Sequence, residues 1–531
     1  MKRVQARTTS RAPVALALAI LMVTCLATRA SSGTLNVGRG AGDTAGGMMN
    51  GVKIAPLAIT DTKLDNGLRV IIAPDHTAPV YGLCVTYNVG SRVEPPGRTG
   101  FAHLFEHMMF QGSENVGKGE HFSLIENNGG DFNGTTTEDR TNFFEALPKN
   151  QLDLGLFLEA DRMGHLAVNE KNLTNQRNAV QEERRLGVDN QPYGHAELDV
   201  DNLAYDNFAY KHSTIGSMDD LNQATLSDVQ AFFRTYYAPN NAVLTIVGDV
   251  DPAQALERVK HYFGDLKPQT IPPRGDLSEP EHYGERHETI YDSLANLPMY
   301  FIAYHVAPGD TPANFAAQLL GDVMATGHSS LLYQHLIEDK QLATDIETQV
   351  DTRIGTGQFY IQAIPRPGVK PEELKRAIDE EIANVLSDGV TQAELDTAKA
   401  QELRDIVRTR QSDLRTSIQI GHDAVFFNDP DLVNQEAGKF AAVTLADVNA
   451  AAKQIFQDDQ RTVVLTLPES DRPKMSGGAS TPPNGNSAPS AKTPKGGRLW
   501  TGPGTSWRRG TRRWARLIHR FTQRRMVGRI E

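Results

Sequence analysis

At 531 residues, with 39% apolar and 22% charged residues, the chain is too long for one hydrophobic core and has the composition of a globular protein of roughly two to four domains. The formal net charge of -11 combines an acidic body with a strongly basic end, and it argues against nucleic acid as a partner of the body. Only Cys25 and Cys84 are present. Residues 1–30 read as an export signal. Lys2, Arg3, Arg7 and Arg11 make a basic start, Val14 to Ala27 is apolar, and Thr28-Arg29-Ala30 offers a small-residue cleavage site. The apolar stretch falls short of the about 20 residues that span a bilayer, and it is apolar on every side, unlike an amphipathic mitochondrial presequence. The expected location is periplasmic or secreted. Removal of the signal leaves one thiol, so no internal disulfide forms and stability rests on the core.

Residues 31–58, rich in Gly, Ser and Asn, read as a flexible linker. Folding is expected from Ile59. Asn66-Gly67 between apolar runs marks a hairpin over Leu64–Ile72. Alternation predicts a strand over Val80–Val89, with Cys84 a small buried residue. After the loop at Pro95-Pro96-Gly97 comes His103-Leu104-Phe105-Glu106-His107. Histidines four apart share one helix face and can reach one metal ion. Glu106 leans toward the same place and can serve as a general base without being a ligand. Five residues alone fit equally a helix with two incidental histidines. A helix over Glu120–Asn127, two strands within Asp131–Phe144 and a helix over Gln151–Met163 follow. Asn169–Arg185 reads as a helix carrying Glu182 and Glu183, which by themselves fit a solvated charge run with Arg184 and Arg185. A strand at Val243–Val247 and a helix at Ala253–Phe263 lead into the Pro-rich stretch 268–280, which marks a domain boundary near residue 270.

H-x-x-E-H is the inverted zincin pattern. Arg177, Val180 and Glu183 fit a second pattern, R-x-x-V-x-x-E. On these residues the chain resembles the pitrilysin/insulinase (M16) family of zinc peptidases, in its short two-domain bacterial form. The separation of Glu183 from His107 matches that between the third ligand and the second histidine of the family. The resemblance implies one Zn2+ per chain on His103, His107 and Glu183, with Glu183 preferred over Glu182 and Glu106 as the base. Gln176 stands where the family often has a supporting acid. Asn133, Gly134 and Thr135 fall on the family's edge strand, which pairs with the backbone of an extended peptide; without the family they read as an ordinary Thr-rich hairpin. The implied fold is α+β, with two homologous α/β-sandwich domains of about 200 residues each, a mixed sheet in each with helices packed on one face. The expected domains are a zinc-binding peptidase domain at 59–270 and a metal-free homologous domain at 271–468.

The second half echoes the first. Phe144–Lys149 resembles Ile361–Arg366, and each leads into a helix, Leu152–Met163 or Pro371–Leu386. The second copy has no H-x-x-E-H, and Asn314–Leu320 is the stretch expected in its place. The family's metal-free half usually supplies an Arg and a Tyr, in L-R-x-x-x-x-L-x-Y. Leu336–Thr344 is the matching stretch, with Ile337 for Arg and Thr344 for Tyr. Neither replaces the donor. The resemblance therefore implies a heterodimer with a homologous metal-free subunit, or a homodimer if Lys340 substitutes. The expected activity is zinc-dependent hydrolysis of peptides or unfolded polypeptides; the alternative is a catalytically weak or structural subunit of such a complex. Residues 469–531 read as a disordered basic tail, where Trp500, Trp507 and Trp514 among arginines could contact a membrane, although a dispensable tail is the stronger expectation.

Overall fold

Apolar alternation in each half of the chain builds one mixed sheet. The computed structural model describes residues 48–49 and 52–473, so the expected signal and the tail beyond residue 473 lie outside the described residues. The first sheet contains β1 (Thr60–Lys63), β2 (Arg69–Pro74), β3 (Val80–Tyr87), β4 (Asp131–Thr136), β5 (Thr141–Pro148) and β6 (Ala242–Gly248), in the order β1-β2-β6-β3-β5-β4. The second contains β7 (Arg286–Asp292), β8 (Met299–Val306), β9 (Ala343–Asp351), β10 (Gly357–Pro365) and β11 (Thr462–Pro468), in the order β9-β10-β8-β11-β7. Each sheet has one parallel pair, β2 with β6 and β7 with β11. Superposing the orders makes β4 the counterpart of β9 and β5 the counterpart of β10.

The helices repeat as well. In the first half α1 is Phe101–Met108, α2 Glu170–Arg184, α3 Ala196–Ala204 and α4 Leu226–Tyr236. In the second α5 is Pro312–Ala325, α6 Gln392–Arg410, α7 Asp413–Phe426 and α8 Leu445–Ile455. Both α4 and α8 open on a capping box, Thr225 with Asp228 and Thr444 with Asp447, in which the Thr oxygen and the Asp carboxylate satisfy each other's orphan amides. The spacing between these boxes also carries α1 and α2 onto α5 and α6, which pack on each other as α1 and α2 do. It places the counterpart of His103–His107 at Asp322–Thr326, not at Asn314–Leu320. The expected stretch lies in the same helix but starts about two turns too early. A strand echo fixes the strand and the helix after it, and leaves open how much chain precedes them.

One face of each sheet packs on helices of its own half. Leu83, Val85 and Phe143 meet Leu104 and Phe105 in the first core; Ile302 and Ile361 meet Leu319 and Met324 in the second. The opposite faces are covered by exchange. Ile420 and Ala424 of α7 bury against Ile71, Ala73, Val243 and Val247 of the first sheet, and Ala196 and Val200 of α3 against Met299, Phe301 and Val464 of the second. Burying each such Ile or Val contributes about 1.5–3 kcal/mol. A side chain at Gly82 would meet the Leu414 backbone, its Cβ falling 2.5 Å from Cα, so this glycine lets α7 lie directly on β3. Ordered contacts also begin inside the expected linker 31–58. Arg410 Nη2 donates to the Ala55 carbonyl at 2.9 Å, and Leu57 N donates to Asn434 Oδ1 at 2.8 Å. Composition cannot reveal partners so distant in sequence.

Candidate metal centre

The apolar stripe of α1 fixes which residues it can present. Phe101, Ala102, Leu104, Phe105 and Met108 are buried, and Phe105 stacks on Phe232 of α4 at 5.4 Å. The remaining face carries His103, Glu106 and His107. The helix start is held by a residue that sequence patterns did not single out. Glu94 is buried and accepts from Gly100 N at 2.8 Å and Ala102 N at 2.7 Å, satisfying two orphan amides of the first turn. His212 Nε2 lies 3.2 Å from Glu94 Oε2, and its Nδ1 lies 2.8 Å from the Phe208 carbonyl. Burial raises the Glu94 carboxyl pKa, against these bonds. Burial lowers that of His212, but Glu94 outweighs it and the net shift is upward. The available signal was an acid shortly ahead of a helix whose N-cap is glycine.

His103, His107 and Glu183 converge. Their ligand atoms all lie within 4.8 Å of one another. His107 Nε2 is 3.0 Å and His103 Nε2 3.7 Å from Glu183 Oε2. That oxygen is buried and makes no hydrogen bond of normal geometry, and neither does His103 Nδ1. An orphaned carboxylate oxygen facing two imidazole nitrogens is the donor set of a zinc-class ion, and the residues fit one. Burial would raise the Glu183 carboxyl, yet the two histidines hold it down to about 2. Burial lowers the pKa of His107, but hydrogen bonding and charge from Glu183, with Glu106 and Gln176 adding, raise it overall. Gln176 thus sits beside His107 in the supporting place the family gives to an acid. Glu182 turns away: its side chain is 59% exposed and pairs with Arg185 at 3.1 Å. Neighbours on a helix point about 100° apart, so only one of the two can face α1.

Glu106 stands behind the cluster, 7% exposed, and its Oε2 accepts from Thr136 Oγ1 at 2.7 Å. Thr136 ends β4, the outermost strand, whose far edge is unpaired among the described residues. Asn133, Gly134 and Thr135 lie on it. Gly134 permits the approach, since a Cβ there would fall 3.0 Å from Glu106 Cγ and 3.1 Å from Phe143 Cδ1. Gly134 N donates to Asn133 Oδ1 at 2.9 Å, and the Thr135 carbonyl accepts from Arg140 Nη1 at 2.8 Å. Glu138, just past the strand, lies close enough to Glu197 and Asp201 to raise both, with Arg353 opposing. Glu197 and Asp201 are pushed up to about 7 by burial and by neighbouring carboxylates, and burial also raises Glu138.

A second group, His121, Glu145 and Glu159, also comes together but is wholly buried. Glu159 is already neutralised by Arg162, whose guanidinium lies over Phe143. With no solvent-facing position it fits a catalytic metal poorly.

Residues 69–217 match the family described as insulinase (peptidase family M16), and residues 223–402 match the peptidase M16 inactive domain. The zinc protease PqqE of Helicobacter pylori is 31% identical over 411 residues, covering 76% of this chain and 92% of that protein. The crystal structure of a protease from Helicobacter pylori superposes with a TM-score of 0.74 at 30% identity, over 78% of this chain and 100% of that one. The periplasmic protease PqqL from Escherichia coli shares the fold with a TM-score of 0.63 at 18% identity, over 78% of this chain but 48% of that one.

Proposed function

The chain belongs to peptidase family M16, the insulinases, and from that premise we propose that it is a zinc-dependent endopeptidase acting on extended peptides or unfolded polypeptides. One observation carries the proposal: the orphaned Glu183 carboxylate oxygen faces His103 and His107, with Glu106 directly behind. These three side chains would hold one zinc ion per chain. Zinc so held supplies a Lewis acid that activates water and polarises the scissile carbonyl. Glu106 takes the proton from the attacking water and delivers it to the leaving amine. Thr136 orients Glu106 through its hydroxyl. The free edge of β4 offers main-chain groups at Asn133, Gly134 and Thr135 to a substrate strand, and a substrate carbonyl would displace the Asn133 side chain from Gly134 N.

A heterodimer is the favoured assembly. Leu336 lies in a π-helix over Tyr333–Asp339, followed by β9, and neither Ile337 nor Thr344 offers a long donor. Thr344 Oγ1 instead donates to the Ile364 carbonyl at 3.2 Å. Loss of such transition-state donors typically reduces rate by ~10²–10³. A homologous metal-free subunit carrying Arg and Tyr would restore them, and a structural subunit is the alternative if no partner does. The basic-then-apolar start supports export, and N-terminal sequencing of the mature protein tests it. The deciding experiment combines metal analysis with a peptide-library digest, for the chain alone and with candidate partners, in wild type, Glu183→Gln and Glu182→Gln. Zinc near one per chain and cleavage are expected. Glu183→Gln should weaken zinc binding far more than Glu182→Gln, and the opposite ranking would move the ligand to Glu182.

A further inference from the structure

The two halves meet turn to turn. The turn at 137–140 joins β4 to β5, and its counterpart at 352–356 joins β9 to β10. Asp139, 1% exposed, lies between them. Its Oδ2 accepts from Ile354 N at 2.9 Å and its Oδ1 from the Tyr210 hydroxyl at 3.0 Å, while Arg92 Nη1 pairs with Oδ1 at 3.2 Å. The Tyr210 oxygen in turn accepts from Gly355 N at 2.9 Å. Gly355 is seated so closely that a Cβ there would fall 2.8 Å from Tyr210 Cε2. Arg353 lies over the rings of Tyr205 and Tyr210 at 4.9 and 5.0 Å and pairs with Asp351 at 2.6 Å. Buried carboxylates hold a fixed position only when charges and donors surround them, and Asp139 has both.

The same turn is tied on its other side to the entry of α1. Ser91 N donates to the Thr137 carbonyl at 3.3 Å and Arg92 N to the Glu138 carbonyl at 3.0 Å. Thr136, the residue before the turn, is the one whose hydroxyl reaches Glu106. The turn therefore stands between the metal-free half and the candidate base.

We propose that Asp139 is a positioning residue, which uses the 352–356 loop of the metal-free half as an anchor to fix β4 against Glu106. It touches neither metal nor substrate. The inference rests on reading β4 as the substrate-binding strand. It gives the metal-free half a role inside this chain: its backbone amides set the geometry of a site whose ligands lie elsewhere. Two variants test it in the full chain. Tyr210→Phe removes the shared hydroxyl and keeps the ring beneath Arg353. Asp139→Asn keeps the shape and removes the charge. Amide hydrogen exchange over residues 131–136 is measured beside zinc content and the separate kcat and KM on an extended peptide. Exchange in that strand is expected to rise about tenfold, the loss of one hydrogen bond to a charged group, with exchange in β2 and β6 unchanged. Zinc content stays the same, and kcat falls about tenfold with a smaller change in KM. Unchanged exchange over 131–136 in the variant that folds overturns the proposal. So does an equal rise across both sheets, or faster exchange with unchanged kcat. If the wild type cleaves no peptide, the peptidase reading fails, and the exchange data still decide whether Asp139 anchors the strand.

Discussion

His103, Glu106, His107 and Glu183 occupy the same scaffold positions as Asp322, Ala325, Thr326 and Glu402, all four pairs sharing the offset that relates the two capping boxes. In both halves the two helices pack side by side, although Thr326 is the C-cap of α5 and lies just past its last turn. The side chains answer the same geometric problem differently. In the first half two imidazoles and a carboxylate converge and leave Glu183 Oε2 without a hydrogen bond of normal geometry, 3.0 Å from His107 Nε2. In the second half Asp322 and Glu402 hydrogen-bond each other and Thr326 bonds Asp322, beside a cavity of about 210 Å³. Two carboxyls can be satisfied by one shared proton. Two imidazoles and a carboxylate are better satisfied by a divalent ion. The shared scaffold therefore carries two different donor sets, and only the first has the chemistry of a divalent-ion site.

The comparison breaks most completely at His103→Ala, which should leave the first half as metal-poor as the second. Zinc falls from one per chain toward none and peptide hydrolysis drops by ~10³ or more, read by metal analysis and peptide assay. Glu106→Gln separates base from ligand: zinc stays, and kcat falls by ~10²–10⁴. Stoichiometric zinc loss in that variant would overturn the role given to Glu106. Asp322→His with Thr326→His runs the comparison in reverse. With Glu402 already in place, the double variant should bind a second zinc, raising metal content from one to two per chain. Failure to gain metal would show that the second helix pair no longer holds the required spacing.

The smallest effect is on pH. Burial raises the pKa of Asp322, and burial and Asp322 together raise that of Glu402 well above the ordinary carboxyl range. Groups raised in the folded state contribute stability that is fully present below their unfolded pKa, about 4, and is lost as pH rises through the folded value. The thermal midpoint of the wild type should therefore decline as pH climbs through and above that range. Asp322→Asn, which cannot ionise, should flatten the decline by a few degrees in a pH series of melting curves. An unchanged slope would mean the pair does not share a proton.

The sequence by itself determined whatever repeats over a few residues. Helical spacing put His103 and His107 on one face, Asn66-Gly67 marked the hairpin between β1 and β2, and alternation outlined β3 with Cys84 buried at its centre. The resemblance to the R-x-x-V-x-x-E pattern favoured Glu183 over Glu182, and the fold turns Glu183 toward the histidines and Glu182 toward Arg185. The paired capping boxes were equally legible and were the better ruler for the repeat, because a cap is fixed to a helix start whereas a strand echo tolerates insertions between elements. Tertiary structure alone decided the rest. Glu94 caps α1 with His212 across 118 residues, α3 and α7 exchange sheets, and Asp139 meets Ile354 across 215 residues. These contacts join side chains whose local sequence gives the same signal whether they face solvent or one another. An isolated Asp in a turn or an acid before a helix is ordinary in sequence, and only the packing of two sheets makes it a buried charge that must find its partners.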